Sequence, residues 1–286
     1  DRHIATHRGQ RHHPIAEIHG LVVHHAPAAS VDSRHAPLAV QAHNPFVLRS
    51  VSPPLAAFAG RRINAVRRIG KRVALLFADE LALVVHLMIA GRFRWRPPGK
   101  KMAGKLAQAS VQFEHGTLFL TEAGSKRRAS LHALEGHETL GTFDRGGLEP
   151  LTCTVAQFAD VLRRENHTIK RTLTDPRLMS GIGNAYSDEI LHTAQLSPMV
   201  LTSKLSDAEI ARLHDAMQQT LVLWIDRLRE RSGNQFPEQV TAFPDGMAVH
   251  GRYGEPGPVC QSPVQRIRNA DNETNYCARC QTGGRI

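Results

Sequence analysis

The pattern of apolar and polar positions divides the chain into a strand-rich part and a helical part. Between residues 62 and 121, short apolar runs such as 73–77 and 81–88 are separated by acidic residues or glycines. Runs of this length, bounded by such breaks, predict strands, and His115-Gly116 between two further runs predicts a hairpin. We therefore predict a two-layer β-sandwich over residues 44–135.

Further along the chain the apolar positions recur with the period of a helix. Thr154 and Ser206 each precede such a stretch and are followed by Gln157 and Glu209, which is the pattern of a capping box. One helical face of the second stretch is apolar, and we interpret it as core packing: Ile210, Leu213, Met217, Leu221, Trp224 and Leu228. We predict a linker over residues 136–150 and a helical domain over 151–241.

The last segment, residues 242–286, is short and rich in glycine and proline. It cannot bury much of a core by itself, so a metal ion or the helical domain has to hold it. Three of the four cysteines of the chain lie in this segment. Few cysteines at such spacing predict metal ligands in a reducing cytosol and not a disulfide scaffold.

The apolar positions of residues 1–43 follow neither the two-residue period of a strand nor the 3.6-residue period of a helix. They contain nine of the 17 histidines and no lysine, phenylalanine, tyrosine or tryptophan. We predict that this leader is either disordered or read out of frame, with the normal sequence beginning near Asn44. A histidine-rich metal site is the weaker interpretation, because the histidines are unevenly spaced.

The charge of the chain points to a polyanionic partner. There are 36 lysines and arginines against 26 acidic residues, which gives a net charge of +10. A basic chain of this size suits nucleic acid, although a basic and merely solvated surface gives the same count. The sequence shows neither an apolar run of the length a membrane span needs nor a clear secretory signal.

One stretch of the helical part is a candidate for phosphate binding. Gly181-Ile182-Gly183 separates two predicted helices, and Asn184 opens the second one. Glycines let backbone amides converge, and a helix N-terminus adds free amides and partial positive charge. An ordinary helix end followed by a loop explains the same residues equally well.

The motifs of the whole chain favour phosphate binding over an ordinary helix end. Taken in order, they resemble the formamidopyrimidine-DNA glycosylase/endonuclease VIII family. The resemblance spans residues 44–285 and includes H-L-M-I-A-G at 86–91, T-E-A-G at 121–124, the glycine turn and C-A-R-C at 277–280. It implies an α+β protein: an N-terminal β-sandwich, a helix–two-turns–helix domain and a C-terminal zinc-finger β-hairpin. Double-stranded damaged DNA would lie in the cleft between them, bound by a monomer in the bacterial cytosol.

The resemblance implies DNA contacts for eight residues: Lys71, Ile89, Arg128, Lys170, Gly181, Gly183, Asn184 and Arg285. Ile89 matches a residue that fills the gap left by a flipped nucleotide. Arg128 is assigned to the same gap or to a phosphate. Arg285 would replace the hairpin arginine of the family, because Asn272 stands at its usual place.

The resemblance also implies one structural zinc ion. Its matching ligands in this chain are Cys260, Cys277 and Cys280. Gly257 stands where the family has a fourth cysteine, so Glu255, His250 or a water would have to complete the tetrahedron. A metal-free hairpin with three thiols is the alternative.

The implied reaction is covalent. In the family an N-terminal proline amine attacks C1′ of the damaged nucleotide, and the next residue, a glutamate, is the general acid and base. This chain has Ala16-Glu17 where that start would fall. We therefore expect a glycosylase and abasic-site lyase of base excision repair, acting on oxidised bases, whose activity is poor and whose remaining candidate amine is Lys71. The alternative is a catalytically inactive protein that binds damaged DNA.

Overall fold

The structure is a computed structural model, which describes residues 36–102, 106–123, 126–233, 235–238, 241, 243–269 and 272–284. Most of the predicted leader, residues 1–35, lies outside this part of the chain. Among the described residues, none of the helices has the length and apolar character that a membrane span requires.

Eight antiparallel strands form the predicted sandwich of two four-stranded sheets. The first sheet contains β1 (Ala39–Ala42), β5 (Gly91–Arg96), β6 (Ala107–Phe113) and β7 (Gly116–Glu122), in the order β1-β6-β7-β5. The second contains β2 (Ile63–Ile69), β3 (Arg72–Phe77), β4 (Leu81–His86) and β8 (Ser130–Glu135), in the order β2-β3-β4-β8. The predicted strands and the predicted hairpin at His115-Gly116 are confirmed.

The core of the sandwich lies between the two sheets. Alternate residues of the strands point inward and pack together, among them Val73, Leu75, Phe77, Leu83, Val85 and Leu118, and Phe58 of the 3-10 helix 55–58 joins them. The other faces of β3 and β4 are also buried, by a second apolar cluster that includes Ala74, Leu76 and Val84. Burial on both faces explains why these two strands read as continuous apolar runs.

The sandwich begins before the predicted boundary at Asn44. Strand β1 pairs with β6, with Ala39 opposite Gln112 and Ala42 opposite Ala109. Just after the strand, His43 Nε2 lies 2.9 Å from Ser110 Oγ. The boundary is therefore corrected to a point before β1, which is too short for its alternation to stand out in the sequence.

The predicted helical domain contains four helices: α1 (Val155–Arg164), α2 (Ile169–Thr174), α3 (Asn184–Thr193) and α4 (Asp207–Ser232). Both capping boxes form, at Thr154 before α1 and at Ser206 before α4. The apolar stripe of α4 is buried from Ile210 to Trp224, which confirms it as core. A third unit follows, with β9 (Gln265–Asn269), β10 (Asn272–Tyr276) and α5 (Ala278–Thr282).

The segment predicted as a linker packs on the sandwich. Residues 137–143 form a short 3-10 helix whose Leu140 and Phe143 cover the outer face of β3 and β4. Its glycines suggested a loop, but the two apolar side chains provide the contact. The connection between the first two domains is therefore fixed and not free.

This packing predicts a loss of stability on replacing Leu140, which is 7% exposed. Leu140→Ala should lower the free energy of unfolding by about 2 kcal/mol, because a buried leucine loses transfer energy and leaves a void. Chemical denaturation measures the change. Val222→Ala, at a position that is 48% exposed on α4, is the control and should have little effect. An unchanged unfolding midpoint for Leu140→Ala would mean that the segment does not pack on the sheet.

Candidate functional site

One end of the second sheet collects basic side chains. The register places Ile69 opposite Arg72, Arg72 opposite His86 and His86 opposite Ser130, so the turn between β2 and β3 lies beside the end of β4. Burial, followed by the charges of Arg72 and Lys71, lowers the pKa of His86 to about 4. The imidazole is therefore neutral at pH 7, and the permanent charges at this end are those of arginine and lysine.

The glycine turn of the helical domain lies directly against this end of the sheet. Gly181 has φ of +80°, and a Cβ there would come within 2.8 Å of Arg68 Nη1 and 3.3 Å of Gly70 O. A Cβ on Gly183 would lie 3.2 Å from Lys71 Nζ. Both glycines thus permit a close approach, and Gly181 also needs the left-handed backbone that glycine tolerates.

Arg68 ties the β2–β3 turn to the segment before α1. Its guanidinium donates a 3.0 Å hydrogen bond from Nη1 to Gly70 O and forms an ion pair through Nη2 with Glu149, just before α1. The Arg68 side chain is 5% exposed. A buried arginine pair is strongly oriented, so the β2–β3 turn has one position relative to the helical domain.

Lys71 is left without a partner in this arrangement. Its side chain is open to solvent, yet protein packed around the ammonium lowers its pKa. Among the described residues it makes no hydrogen bond or ion pair. The nearby N-terminus of α3 has no acidic residue in its first turn, and among those residues no side chain caps it. A free ammonium beside uncapped amides is suited to an oxyanion.

Lys170 and Asn184, two of the predicted phosphate contacts, are engaged within the fold. The Lys170 ammonium pairs with Asp188 and donates a 2.9 Å hydrogen bond to Asn184 O. Burial lowers its pKa, and Asp188 opposes that effect. The Asn184 side chain donates from Nδ2 to Glu273 O on the hairpin at 2.7 Å. One donor of the Lys170 ammonium remains, so its phosphate contact stays a prediction.

Two buried carboxylates of α3 attach the C-terminal unit to the helical domain. Asp188 accepts hydrogen bonds from His250 Nδ1 at 2.8 Å and from the backbone N–H of Asn275 at 3.1 Å. Glu189 accepts three backbone hydrogen bonds, from residues 248, 249 and 250, at 2.7 to 3.0 Å. Sequence reasoning missed both residues, because their partners are about 60 to 87 positions away.

The two predicted gap-filling residues lie on neighbouring loops. Ile89, in the turn after β4, is 81% exposed. Arg128 lies in the loop after β7, where buried Glu122 accepts hydrogen bonds from the backbone N–H groups of Arg128 and Ala129 at 2.9 and 3.0 Å. Pairing of Gly91 with Glu122 brings the two loops to one edge. Their roles stay predictions, and Arg285 lies outside the described residues.

The three C-terminal cysteines come together as predicted. The sulfur atoms of Cys260, Cys277 and Cys280 all lie within 4.8 Å of one another, and Cys260 Sγ is 3.3 Å from Cys277 Sγ. Two predicted fourth ligands are not part of this group. His250 is bound to Asp188, and Glu255 accepts a hydrogen bond from Arg252 Nε at 2.9 Å. The expectation that either one completes a tetrahedron is therefore wrong.

Comparison with known proteins identifies the family. The family model of the formamidopyrimidine-DNA glycosylase N-terminal domain matches residues 21–129, and that of the formamidopyrimidine-DNA glycosylase H2TH domain matches residues 147–232. A formamidopyrimidine-DNA glycosylase of Thermus thermophilus is 32% identical over 240 residues, which cover 79% of this chain and 84% of the relative. The chain belongs to the formamidopyrimidine-DNA glycosylase family.

Two further comparisons agree with this formamidopyrimidine-DNA glycosylase assignment. An uncharacterized formamidopyrimidine-DNA glycosylase-like protein of Mycobacterium tuberculosis is 39% identical over 139 residues, 49% of this chain and 86% of the relative. The Fpg protein of Lactococcus lactis, solved with abasic-site DNA, shares the fold with a TM-score of 0.78 at 23% identity, over 95% of this chain and 99% of that one. The family match starts at residue 21, upstream of the boundary predicted at Asn44.

The attachment of the C-terminal unit predicts the effect of replacing Asp188. Asp188→Asn should lower the free energy of unfolding by about 3 kcal/mol, because it leaves the Lys170 ammonium buried without its partner. Urea denaturation measures the change. Asp226→Asn is the control, since Asp226 is 56% exposed and 3.5 Å from Arg229, and it should cost about 0.5 kcal/mol or less. Equal effects of the two variants would contradict the anchoring role.

Proposed function

We propose that this chain recognises lesions in double-stranded DNA and acts as a glycosylase and abasic-site lyase of base excision repair. Its substrates would be oxidised bases of the formamidopyrimidine and 8-oxoguanine type. The observation that carries this proposal is the unpartnered Lys71 ammonium beside Gly183 and the uncapped N-terminus of α3. The names of the relatives support the reaction, and the abasic-site DNA bound by the Lactococcus lactis protein supports the partner.

The first step is capture of the DNA backbone. A phosphate placed at the glycine turn would accept hydrogen bonds from backbone amides of α3 and pair with Lys71. The net charge of +10 would attract the duplex to the protein. Exposed Ile89 would then enter the stack where the damaged nucleotide leaves it. These contacts ignore base sequence, which suits an enzyme that searches a whole genome for damage.

The second step is nucleophilic, and Lys71 is the candidate amine among the described residues. The lowered pKa of Lys71 raises the fraction of neutral amine at pH 7. Neutral Nζ would attack C1′ of the ring-opened abasic sugar, and loss of water would give a Schiff base. Removal of a C2′ proton then expels the 3′ phosphate. Lys71 would therefore serve both the phosphate contact and the attack on C1′.

The same geometry supports a second candidate, a protein that binds damaged DNA without cutting it. A phosphate is best held by the charged ammonium, whereas attack on C1′ needs the neutral amine. If Lys71 stays charged in the complex, it serves the backbone contact alone. The two candidates therefore differ in covalent chemistry and not in binding.

We also propose that the C-terminal hairpin holds one Zn²⁺ ion through Cys260, Cys277 and Cys280. A Zn–S distance of about 2.3 Å in a tetrahedron sets the sulfur atoms about 3.8 Å apart. The observed separations, 3.3 Å for one pair and within 4.8 Å for all, bracket that value. The residues therefore fit the ion, whose contribution would be structural.

The proposed phosphate contact predicts weaker DNA binding when Lys71 loses its charge. Lys71→Gln should raise the Kd for a duplex carrying an abasic analogue about tenfold and reduce the slope of log K against log salt by about 1, because one phosphate contact is lost. Fluorescence anisotropy across a salt series measures both. Lys204→Gln, at an exposed lysine outside this cleft, is the matched control. A salt slope that Lys71→Gln leaves unchanged would contradict the contact.

The amine role has a separate test, because borohydride reduces a Schiff base to a stable amine. The protein should become covalently attached to abasic-site DNA in the presence of borohydride, and Lys71→Gln should abolish the adduct. Mass mapping of the attached peptide locates the nucleophile. Binding without any adduct would establish the non-catalytic candidate, and an adduct at another residue would remove Lys71 from the reaction.

A further inference from the structure

We propose that the three-cysteine cluster holds its metal ion with one open coordination position, at Gly257, which takes a small exogenous ligand. The resting ligand would be water, and a low-molecular-weight thiol would displace it. This inference rests on the zinc site of the proposed function and concerns the position that this chain leaves vacant in that site.

The backbone from Gly257 to Ser262, which includes Cys260, is folded into a hydrogen-bonded turn. Gly257 N–H donates to Ser262 O at 3.0 Å, and Gln261 N–H donates to Gly257 O at 3.1 Å. On the other side, Cys280 N–H lies 3.4 Å from Cys277 Sγ. Both loops that would face the ion are therefore set by hydrogen bonds. Residue 257 lies three positions before Cys260, where the family has its fourth cysteine, and as glycine it brings no ligand side chain.

The space at Gly257 is not filled by another residue. A Cβ built there meets a single described atom within 4 Å, Ser262 O at 3.3 Å. The described part of the chain adds no imidazole or carboxylate to the three sulfur atoms. Cys260, Cys277 and Cys280 would therefore supply three ligands of a tetrahedral ion, and a small molecule would supply the fourth.

The chemistry of the ion selects the class of ligand. Zn²⁺ is borderline soft and binds thiolates well, so a small thiol is a better fourth donor than water. Exchange is balanced without redox: the thiol gives its proton to solvent, its sulfur forms the new bond to the metal, and the water leaves. An exchangeable position is the mark that separates open zinc sites from closed structural ones.

The hairpin could accommodate such exchange because hydrogen bonds also attach it to the helical domain. Asn184 and Asp188 bind β10 directly, at Glu273 O and Asn275 N–H. Gln281 of α5 donates from Nε2 to Leu196 O at 2.9 Å and accepts from Cys277 N–H at 2.7 Å. These contacts hold the unit against the helical domain from both ends of the cluster.

Cobalt substitution tests the proposal, because Co²⁺ reports its ligands through visible absorption. The full chain and the variants Gly257→Cys and Gly257→Ala are each loaded with Co²⁺ and titrated with 2-mercaptoethanol. The native chain and Gly257→Ala should start with a three-thiolate spectrum and change saturably towards a four-thiolate one. Gly257→Cys should show the four-thiolate spectrum from the start and no change, because its own sulfur fills the position.

A native spectrum that does not respond to the thiol overturns the open position, and so does a four-thiolate spectrum of the native chain before any addition. Failure of all three proteins to bind Co²⁺ removes the metal site itself. These outcomes are independent of the DNA-binding part of the proposed function, since no DNA is present. Far-UV circular dichroism of the metal-free proteins confirms that each variant is folded.

Discussion

The contact between the glycine turn and the β2–β3 turn is the constraint on which the candidate site depends. The sandwich and the helical domain meet there, with Gly181 close to Arg68 Nη1 and Gly183 close to Lys71 Nζ. A Cβ at Gly181 would meet Arg68 Nη1 and the backbone Gly70 O, and a Cβ at Gly183 would displace the Lys71 ammonium. Because the approach is so close, the Lys71 ammonium and the first amides of α3 face the same space, and neither domain provides that arrangement alone.

The charged groups at the centre of the helical domain are used within the fold. Lys170, Asp188 and Glu189 are committed to buried pairs and hydrogen bonds that fix α2, α3 and the C-terminal unit. Charges buried in this way need partners, which is why they are satisfied within the fold. Lys71, on the neighbouring β2–β3 turn of the sandwich, differs from these residues, because among the described residues its ammonium has no hydrogen-bond or ion-pair partner.

Local patterns predicted most of the fold, and long-range contacts account for what they missed. Alternation and capping residues act within a few positions, so the strands, both capping boxes and the α4 stripe could be predicted from the sequence. Gly181 and Gly183 could be proposed from the turn between two predicted helices, whereas Lys71 was proposed only through the resemblance to the family. Local patterns could not predict the buried hydrogen bonds of Asp188 and Glu189 or the packing of Leu140. These contacts join residues that are far apart in the sequence.

The central claim is that the close approach of Gly183 to Lys71 creates a binding site for a DNA phosphate. The variant Gly183→Ala tests this claim most directly. The backbone there has φ of −114°, which alanine adopts, but its Cβ would lie 3.2 Å from Lys71 Nζ. Gly141→Ala, where a Cβ meets nothing within 4 Å, is the control. The measurement is the Kd for abasic-analogue duplex at low salt, which should rise about tenfold for Gly183→Ala, or about 1.4 kcal/mol, and not for Gly141→Ala. Equal affinity of the two folded variants would contradict the account.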